Sequence, residues 1–179
     1  RLATTPMHYF APGSLGVAGG IQLTASHNPA RYNGLKMSRS DARPVSGDHG
    51  IPLLEKHVQA GDMEPASDAG ALSVGSIFES YGRHVLSFLE HADRPLKVVV
   101  DAANGMGVLY QPLLEQMGIE LEPLYFELDG SFPNHEANPL KLENLRDLRE
   151  RVRATGADLG VSFDGDADRS AFVDERGEP

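Results

Sequence analysis

Hydrophobic positions in the second half of the chain predict buried strands joined by a helix. Residues 96–102 are apolar except at Lys97 and Asp101, as expected of a strand covered on both faces. Residues 108–117 predict a helix that ends at Gly118, and residues 119–124 predict a second strand. Because a helix joins them, these two strands are expected to be parallel, with a right-handed crossover. Residues 158–163 predict another apolar strand.

Two further helices are indicated by apolar residues at helical spacing. The first is predicted to begin at Ser76, where Glu79 three residues later completes a capping box, and to stop by Pro95. The second is predicted to end at Gly156. Their buried stripes are Ile77, Phe78, Tyr81, Val85 and Phe88 in the first, and Leu142, Leu145, Leu148 and Val152 in the second. Residues 170–173 predict a strand whose partner would lie beyond residue 179.

The first section of the chain is predicted to alternate short apolar strands with loops. Strands are expected at residues 21–24 and 35–38, and a helix over residues 48–60, with Asp48 as its cap and Gly61 as its stop. Residues 61–75 have no clear period, which is typical of a linker or a long surface loop. We therefore predict an α/β fold of two three-layer α/β/α units with mixed, largely parallel sheets, both truncated, divided as residues 1–74 and 75–179.

Composition narrows the class of protein. The 179 residues carry a formal charge of −10 at a pI near 5.1, which argues against nucleic acid and against an anionic membrane surface as partners. No apolar run approaches the ~20 residues that a membrane span needs. The absence of cysteine excludes disulfides, thiolate catalysis and cysteine-based zinc sites. We expect a soluble, cytoplasmic protein.

Three aspartates directly follow the predicted strand 158–163. Asp164, Asp166 and Asp168 alternate with Gly165 and Ala167, so an extended backbone would point all three carboxylates to one side. Such crowded anions repel one another unless a cation lies between them. Oxygen ligands alone favour Mg²⁺ or Ca²⁺ over zinc or copper. The plain alternative is a solvated turn, since Asp and Gly are common in loops.

Two known metal motifs use similar residues. An EF-hand would place glutamate at its twelfth position, where Glu175 falls, but Arg169 occupies the position that requires glycine, and a strand replaces the flanking helix. The haloacid-dehalogenase phosphatases place a nucleophilic aspartate and a second aspartate two residues on, as Asp164 and Asp166 do. Only eleven residues follow Asp168, too few for the rest of such a domain. A metal-dependent phosphatase and a non-catalytic metal-binding module stay open as alternatives.

A small polar turn after the predicted strand 21–24 is the second candidate site. It contains Ser26, His27 and Asn28, a hydroxyl, an imidazole and an amide that could hold a phosphoryl group near backbone donors. By itself this signal is weak, because Ser, Asn and Pro also form turns without function. Both candidate loops lie at the carboxyl ends of strands, where the chemistry of open α/β sheets collects.

Taken together, the motifs resemble those of the α-D-phosphohexomutases, and among them the phosphomannomutase/phosphoglucomutase branch. The matching stretches cover essentially the whole chain in order: residues 24–29 (TASHNP), 32–36 (YNGLK), 100–107 (VDAANGMG), 132–135 (FPNH) and 163–169 (FDGDADR). The resemblance implies that residues 1–74 are the C-terminal part of mutase domain 1 and that residues 75–179 are most of domain 2.

The resemblance also implies a role for each candidate residue. Ser26 would carry the phosphoryl group, and its phosphate oxygen would bind one Mg²⁺ together with the three aspartates. His27 and Arg169 match positions beside the transferring phosphate, and Lys36 matches the candidate acid/base, a role that requires a lowered pKa. The family interconverts hexose 6-phosphate and hexose 1-phosphate, of mannose or glucose, through a hexose 1,6-bisphosphate.

The sugar-recognition loop of the family's third domain and the phosphate-clamping loop of its fourth have no counterpart among these 179 residues. The opening of the first domain is likewise unmatched. We therefore expect negligible mutase activity from this chain by itself. Its sequence does not distinguish mannose from glucose.

Overall fold

The second half of the chain is built on a four-stranded sheet in the order β4-β3-β5-β6, as seen in a computed structural model that describes residues 1–65, 67–68, 70–90 and 93–179. The strands are β3 (Lys97–Asp101), β4 (Glu120–Leu124), β5 (Leu159–Phe163) and β6 (Ser170–Val173). Strand β3 pairs in parallel with β4 and β5, and β6 runs antiparallel to β5. The parallel βαβ unit predicted from the sequence is confirmed.

One face of this sheet is covered by helix α5 (Arg146–Thr155). Its Leu148 and Val152 are fully buried against Val99 of β3. Burial of each such side chain stabilises the folded state by about 1.5–3 kcal/mol relative to leaving it exposed. Gly160 of β5 permits this close packing, because a Cβ there would lie 2.8 Å from the Val152 Cγ2 atom.

A second hydrophobic cluster joins helices α3 (Phe78–Leu86) and α4 (Gln111–Gln116), together with α1 (Thr5–Leu15) from the first unit, to Phe163 at the end of β5. Met7 of α1 is buried beside Tyr81 and Tyr110. The Tyr110 hydroxyl donates to the Thr4 Oγ1 atom at 2.9 Å. This shared core fixes the start of α1 against the second sheet, near the end of β5.

The first unit contains a two-stranded antiparallel sheet of β1 (Gly19–Leu23) and β2 (Leu35–Arg39). Both strands lie where the sequence predicts them. On the face away from α1, Ile21, Leu23 and Leu35 are exposed. Helix α2 (Ile51–Ala60) buries none of its residues. The predicted linker, residues 61–75, includes positions 66 and 69, which lie outside the described residues.

Helix α1 was not predicted, because Pro12 and Gly13 lie inside it and both disfavour helix interiors. It forms for two reasons. Thr4 caps its first turn by accepting from the Met7 backbone N–H, and Pro6 suits that turn because no intrahelical partner is needed for its missing N–H. Burial of Met7 and Pro12 then offsets the weak propensity.

Predicted helix starts are wrong at two places. Asp48 does not cap α2, whose N-cap position is Gly50 without a side-chain bond. The Ser76 capping box is not formed either: α3 starts at Phe78, and the Ser76 hydroxyl accepts from the Phe78 N–H instead.

Two predicted helices open with 3-10 turns. The predicted helix 108–117 begins as Met106–Tyr110 before α4, and a second turn, Leu142–Leu145, precedes α5. Strand β6 pairs antiparallel with β5 at the edge of the sheet. The expectation of a further partner strand beyond residue 179 stays a prediction. In the described part of the chain, no helix combines the length and apolar character that crossing a bilayer would require.

Candidate active site

The serine loop after β1 and the aspartate loop after β5 meet in one cleft. The Ser26 Oγ atom lies 3.3 Å from Asp164 Oδ2 and 3.2 Å from Asp166 Oδ1. These residues are separated by 138 and 140 positions along the chain. The geometry therefore meets the spatial requirement for a shared site between residue 26 and the aspartates.

Glycine at position 165 is what lets the two loops approach. A Cβ atom there would lie 2.2 Å from the Ser26 carbonyl oxygen, closer than any side chain tolerates. Ser26 itself has a φ of 56°, a left-handed conformation that is uncommon for serine and is held here by a bond from its N–H to the Thr24 hydroxyl at 2.9 Å. The conformation aims its hydroxyl at the carboxylates.

The aspartate loop is a tight turn, not the extended segment that the alternation argument assumed. The Asp164 N–H donates to the Arg169 carbonyl at 3.1 Å, and Ala167 adopts a φ of 59°. The turn still brings carboxylate oxygens of Asp164, Asp166 and Asp168 within 4.8 Å of one another. Their convergence is confirmed, although its cause is the turn.

Asp164 is fully buried and heavily hydrogen-bonded. Its Oδ1 atom accepts from the backbone N–H groups of Asp168 and Arg169 at 3.0 and 3.1 Å. Its Oδ2 atom accepts from the Arg169 guanidinium at 2.8 Å. Burial raises the pKa of Asp164, and the neighbouring carboxylates add to the rise against these donors. A divalent cation would favour its ionised form.

Asp166 has a different environment. Its Oδ2 atom accepts from the Thr5 hydroxyl at 2.7 Å, the Thr24 hydroxyl at 3.1 Å and the Lys36 ammonium at 2.8 Å. Burial alone would raise the pKa of Asp166, but these donors, above all Lys36, lower it overall. Sequence reasoning missed Thr5 and Thr24. Thr24 stands in the serine motif, whereas nothing near Thr5 indicates the site.

Lys36 bridges two of the three aspartates. Its Nζ atom lies 2.8 Å from Asp166 Oδ2 and 2.6 Å from Asp168 Oδ2. Burial lowers the pKa of Lys36, but the two carboxylates outweigh it and the pKa is raised. In this arrangement Lys36 stays protonated and paired with the two carboxylates. Proton transfer near neutral pH would require a lowered pKa instead.

Two nitrogen groups flank the Ser26 hydroxyl. The Arg169 Nη2 atom and the His27 Nδ1 atom each lie 3.3 Å from Ser26 Oγ, and they contact each other. A guanidinium and an imidazole at this place can donate to oxygens of a group bound on the hydroxyl.

The donor set fits a hard divalent cation. Three carboxylates and a hydroxyl supply only oxygen, and no cysteine is present. Two of the carboxylates are buried, where uncompensated negative charge is costly. An α/β sheet that presents a serine hydroxyl to such a trio can place a metal-bound group beside that hydroxyl.

The chain belongs to the phosphoglucomutase/phosphomannomutase family. Residues 79–177 match the profile described as "Phosphoglucomutase/phosphomannomutase, alpha/beta/alpha domain II", and residues 1–64 match that of domain I. The family is metal-dependent in general. The division expected at residues 74 and 75 falls between the matched ranges and stays a prediction.

Curated relatives cover almost all of the chain. It is 41% identical over 179 residues to a phosphomannomutase of Salmonella montevideo, a match that spans 95% of this chain and 39% of the relative. It is 40% identical over 177 residues to a phosphomannomutase/phosphoglucomutase of Pseudomonas aeruginosa, spanning 98% and 37%. The chain thus corresponds to somewhat more than a third of these relatives' length.

A solved structure supports the fold. The chain superposes on a phosphoglucomutase/phosphomannomutase family protein from Burkholderia thailandensis with a TM-score of 0.88 at 35% identity, covering 99% of this chain and 40% of that one. The α/β fold class predicted from the sequence is therefore confirmed.

Proposed function

We propose that this chain carries the phosphoserine loop and the metal loop of a phosphohexomutase, an isomerase that interconverts hexose 6-phosphate and hexose 1-phosphate. The substrates would be mannose or glucose phosphates, with a hexose 1,6-bisphosphate as the intermediate. The observation that carries the proposal is the position of Ser26 Oγ, 3.3 Å or less from carboxylate oxygens of both Asp164 and Asp166. The relatives' names, phosphomannomutase and phosphoglucomutase, support the same reaction.

Asp164, Asp166, Asp168 and Ser26 would hold one Mg²⁺. Their oxygen-only chemistry supports magnesium over softer metals. Bound there, Mg²⁺ would neutralise charge on the phosphoryl oxygens. Lys36 contacts two of the same carboxylates, so the ammonium and the metal compete for them.

The residues supply positioning and charge for phosphoryl transfer. In the first transfer the bond between phosphorus and Ser26 Oγ would break as a sugar hydroxyl oxygen forms the new P–O bond; the hydroxyl proton would pass to the acid/base, and the Ser26 oxygen would take up a proton in its place. The reverse transfer, from the other end of the bisphosphate, would restore the phosphate on Ser26. Arg169 and His27, each 3.3 Å from Ser26 Oγ, would donate to the phosphoryl oxygens. Lys36 is the candidate acid/base. It would act once it leaves the aspartates that now raise its pKa.

The geometry favours this function over a phosphatase that uses Asp164 as nucleophile. Asp164 has no exposed side-chain surface, and both its oxygens accept hydrogen bonds from Arg169. The Ser26 hydroxyl, by contrast, is half-buried and faces the cleft. We also propose a cytoplasmic location, which the acidic, cysteine-free composition supports.

Intact-mass analysis tests the proposal. The protein, expressed at its natural length, is incubated with Mg²⁺ and glucose 1,6-bisphosphate, and we expect one phosphate that maps to Ser26. Ser26→Ala should abolish it, whereas the control Ser40→Ala, an exposed serine after β2, should not. If no phosphate is found on Ser26, the mutase proposal is rejected. A labile phosphate on Asp164 that persists in Ser26→Ala would establish the phosphatase instead, and metal affinity without any phosphoenzyme would indicate a binding module.

A further inference from the structure

A buried ion pair lies behind the aspartate loop. Asp101, at the end of β3, is fully buried, and its Oδ2 atom lies 2.9 Å from the His135 Nε2 atom. The other ring nitrogen, Nδ1, faces the Glu136 carbonyl oxygen at 2.9 Å. Because both ring nitrogens face acceptors, the imidazole satisfies both contacts only when it is protonated on both nitrogens.

This pair joins two loops of the second unit. The Asp101 Oδ1 atom accepts from the Ala103 N–H at 2.8 Å, which holds the turn that follows β3. In that turn Ala103 and Asn104 have φ values of 47° and 56°, a conformation that costs free energy unless its surroundings enforce it. Asn134, beside His135, donates to the Asn104 side chain at 2.7 Å. The two loops are therefore fastened to each other by two side-chain bonds.

The same two loops form hydrogen bonds with the peptide groups on both sides of Gly165. The Gly165 N–H donates to the Ala137 carbonyl at 3.2 Å, and the Gly165 carbonyl accepts from the Met106 N–H at 2.9 Å. One bond comes from the segment after His135, and the other from the segment after the Asp101 turn. We call these two backbone bonds, from Ala137 and Met106 to Gly165, the clamp. Gly165 stands between Asp164 and Asp166, so the clamp acts at the centre of the metal loop.

We propose that Asp101 and His135 are positioning residues that fix the metal loop by clamping both sides of Gly165. This inference rests on the metal site of the proposed function. Neither residue contacts a ligand carboxylate among the hydrogen bonds of the described residues, so both act through the backbone. Their loss would let the turn from Asp164 to Asp168 widen.

The charges around His135 support its protonated state. Asp101 faces it directly, Asp147 of α5 adds a second negative charge, and the Tyr125 ring lies 5.4 Å away between centroids. The neighbouring Glu136 side chain is paired with Lys141. Burial lowers the pKa of His135, but Asp101 outweighs it and the pKa is raised. The clamp is thus fully formed at acidic pH and weakens as pH rises through that raised pKa.

Titration of the 179-residue chain with Mg²⁺ by calorimetry tests the inference. We expect His135→Asn and Asp101→Asn to weaken Mg²⁺ binding by about tenfold, the lower end of the range for groups that orient metal ligands. Two controls are matched. His57→Asn breaks an exposed histidine–aspartate pair with a similar 2.9 Å contact, and Asp158→Asn removes a carboxylate from the opposite end of the same sheet. Both controls should bind Mg²⁺ like the unmodified chain.

Two further readouts separate positioning from general destabilisation. In metal-free protein, the Gly165 amide should exchange with solvent at least about tenfold faster in His135→Asn, but not in Asp158→Asn. The pH profile of Mg²⁺ affinity in the unmodified chain should contain a step at the pKa of His135 measured by NMR, and His135→Asn should lack it. If the unmodified chain binds Mg²⁺ and His135→Asn and Asp101→Asn bind it equally well, the positioning role is overturned but the proposed metal site is not. An unmodified chain without Mg²⁺ affinity would overturn this inference together with the proposed metal site.

Discussion

Replacing Gly165 by alanine is the sharpest test of whether the two loops form one site. The added Cβ atom would meet the Ser26 carbonyl oxygen at 2.2 Å and the Ser26 carbonyl carbon at 3.1 Å. Both are backbone atoms, so no side-chain rotation can relieve the contact. Gly165 does not have a positive φ, and alanine is therefore not strained in its own backbone. The whole effect should come from contact with the serine loop.

The size of the effect follows from that contact. The loops would have to separate by at least about 1.2 Å to bring the 2.2 Å contact to an ordinary van der Waals distance. Overpacking of this kind typically costs about 1–3 kcal/mol, and a backbone clash belongs at the upper end. Alanine also stabilises the folded state by about 0.4–1 kcal/mol, because it lowers the conformational entropy of the unfolded chain. We expect a net loss of about 2 kcal/mol in the free energy of unfolding.

Urea unfolding of Gly165→Ala, with Gly130→Ala as control, measures this loss. A Cβ atom at Gly130 would meet nothing within 4 Å, so the control should unfold within about 0.5 kcal/mol of the unmodified chain. Phosphate incorporation at Ser26 in the natural-length protein should fall by about 100-fold in Gly165→Ala, because a misplacement of about 1 Å costs that much. Unmodified stability together with normal phosphorylation would refute the contact between the loops.

Three other variants follow from the same structure. Lys36→Met should bind Mg²⁺ about fivefold more tightly in calorimetry, because it removes a cation 2.8 Å from Asp166 and a unit charge at about 4 Å is worth about 1 kcal/mol even in water. Asp158→Asn should reduce the loss of stability that the unmodified chain shows in urea melts as pH falls from 3.8 towards 2, because Arg94 holds the pKa of Asp158 at about 2. Leu148→Ala should lower the free energy of unfolding by about 2–5 kcal/mol, since Leu148 is fully buried.

The second sheet could be predicted because its central strand β3 is buried on both faces. Val98, Val99 and Val100 give β3 a continuous apolar run, and a helix before the next strand implies a parallel crossover. The pairing of β6 with β5 could not be predicted in the same way. A short antiparallel edge strand fits either side of a sheet by its pattern alone.

Helix α1 shows where local propensity fails. Its Pro12 and Gly13 argue against a helix, and its amphipathic pattern is weak. The decisive contributions are the buried contacts of Met7 with Tyr81 and Tyr110, which lie more than 70 positions further along the chain. Tertiary packing of this kind leaves no mark in a window of neighbouring residues.

The sequence predicted only part of the site. The convergence of the aspartates was expected from an alternation that an extended strand would show, yet the turn at Ala167 produces it. Lys36 stands where the motif places it, but its raised pKa follows from contacts with Asp166 and Asp168 that no spacing predicts.

The start of α1 and the aspartate loop form one continuous structure, which has a consequence for how the site is maintained. Thr5 donates twice to Asp166, from its backbone N–H to the carbonyl at 3.0 Å and from its hydroxyl to the carboxylate at 2.7 Å. Ser26, in the loop after β1, depends on the same interface, through the close approach to Gly165. The distance between the hydroxyl and the carboxylates is therefore set by packing between the two units rather than within either, so mutations in the buried contacts of Met7 and Tyr110 should disturb the chemistry without touching a site residue.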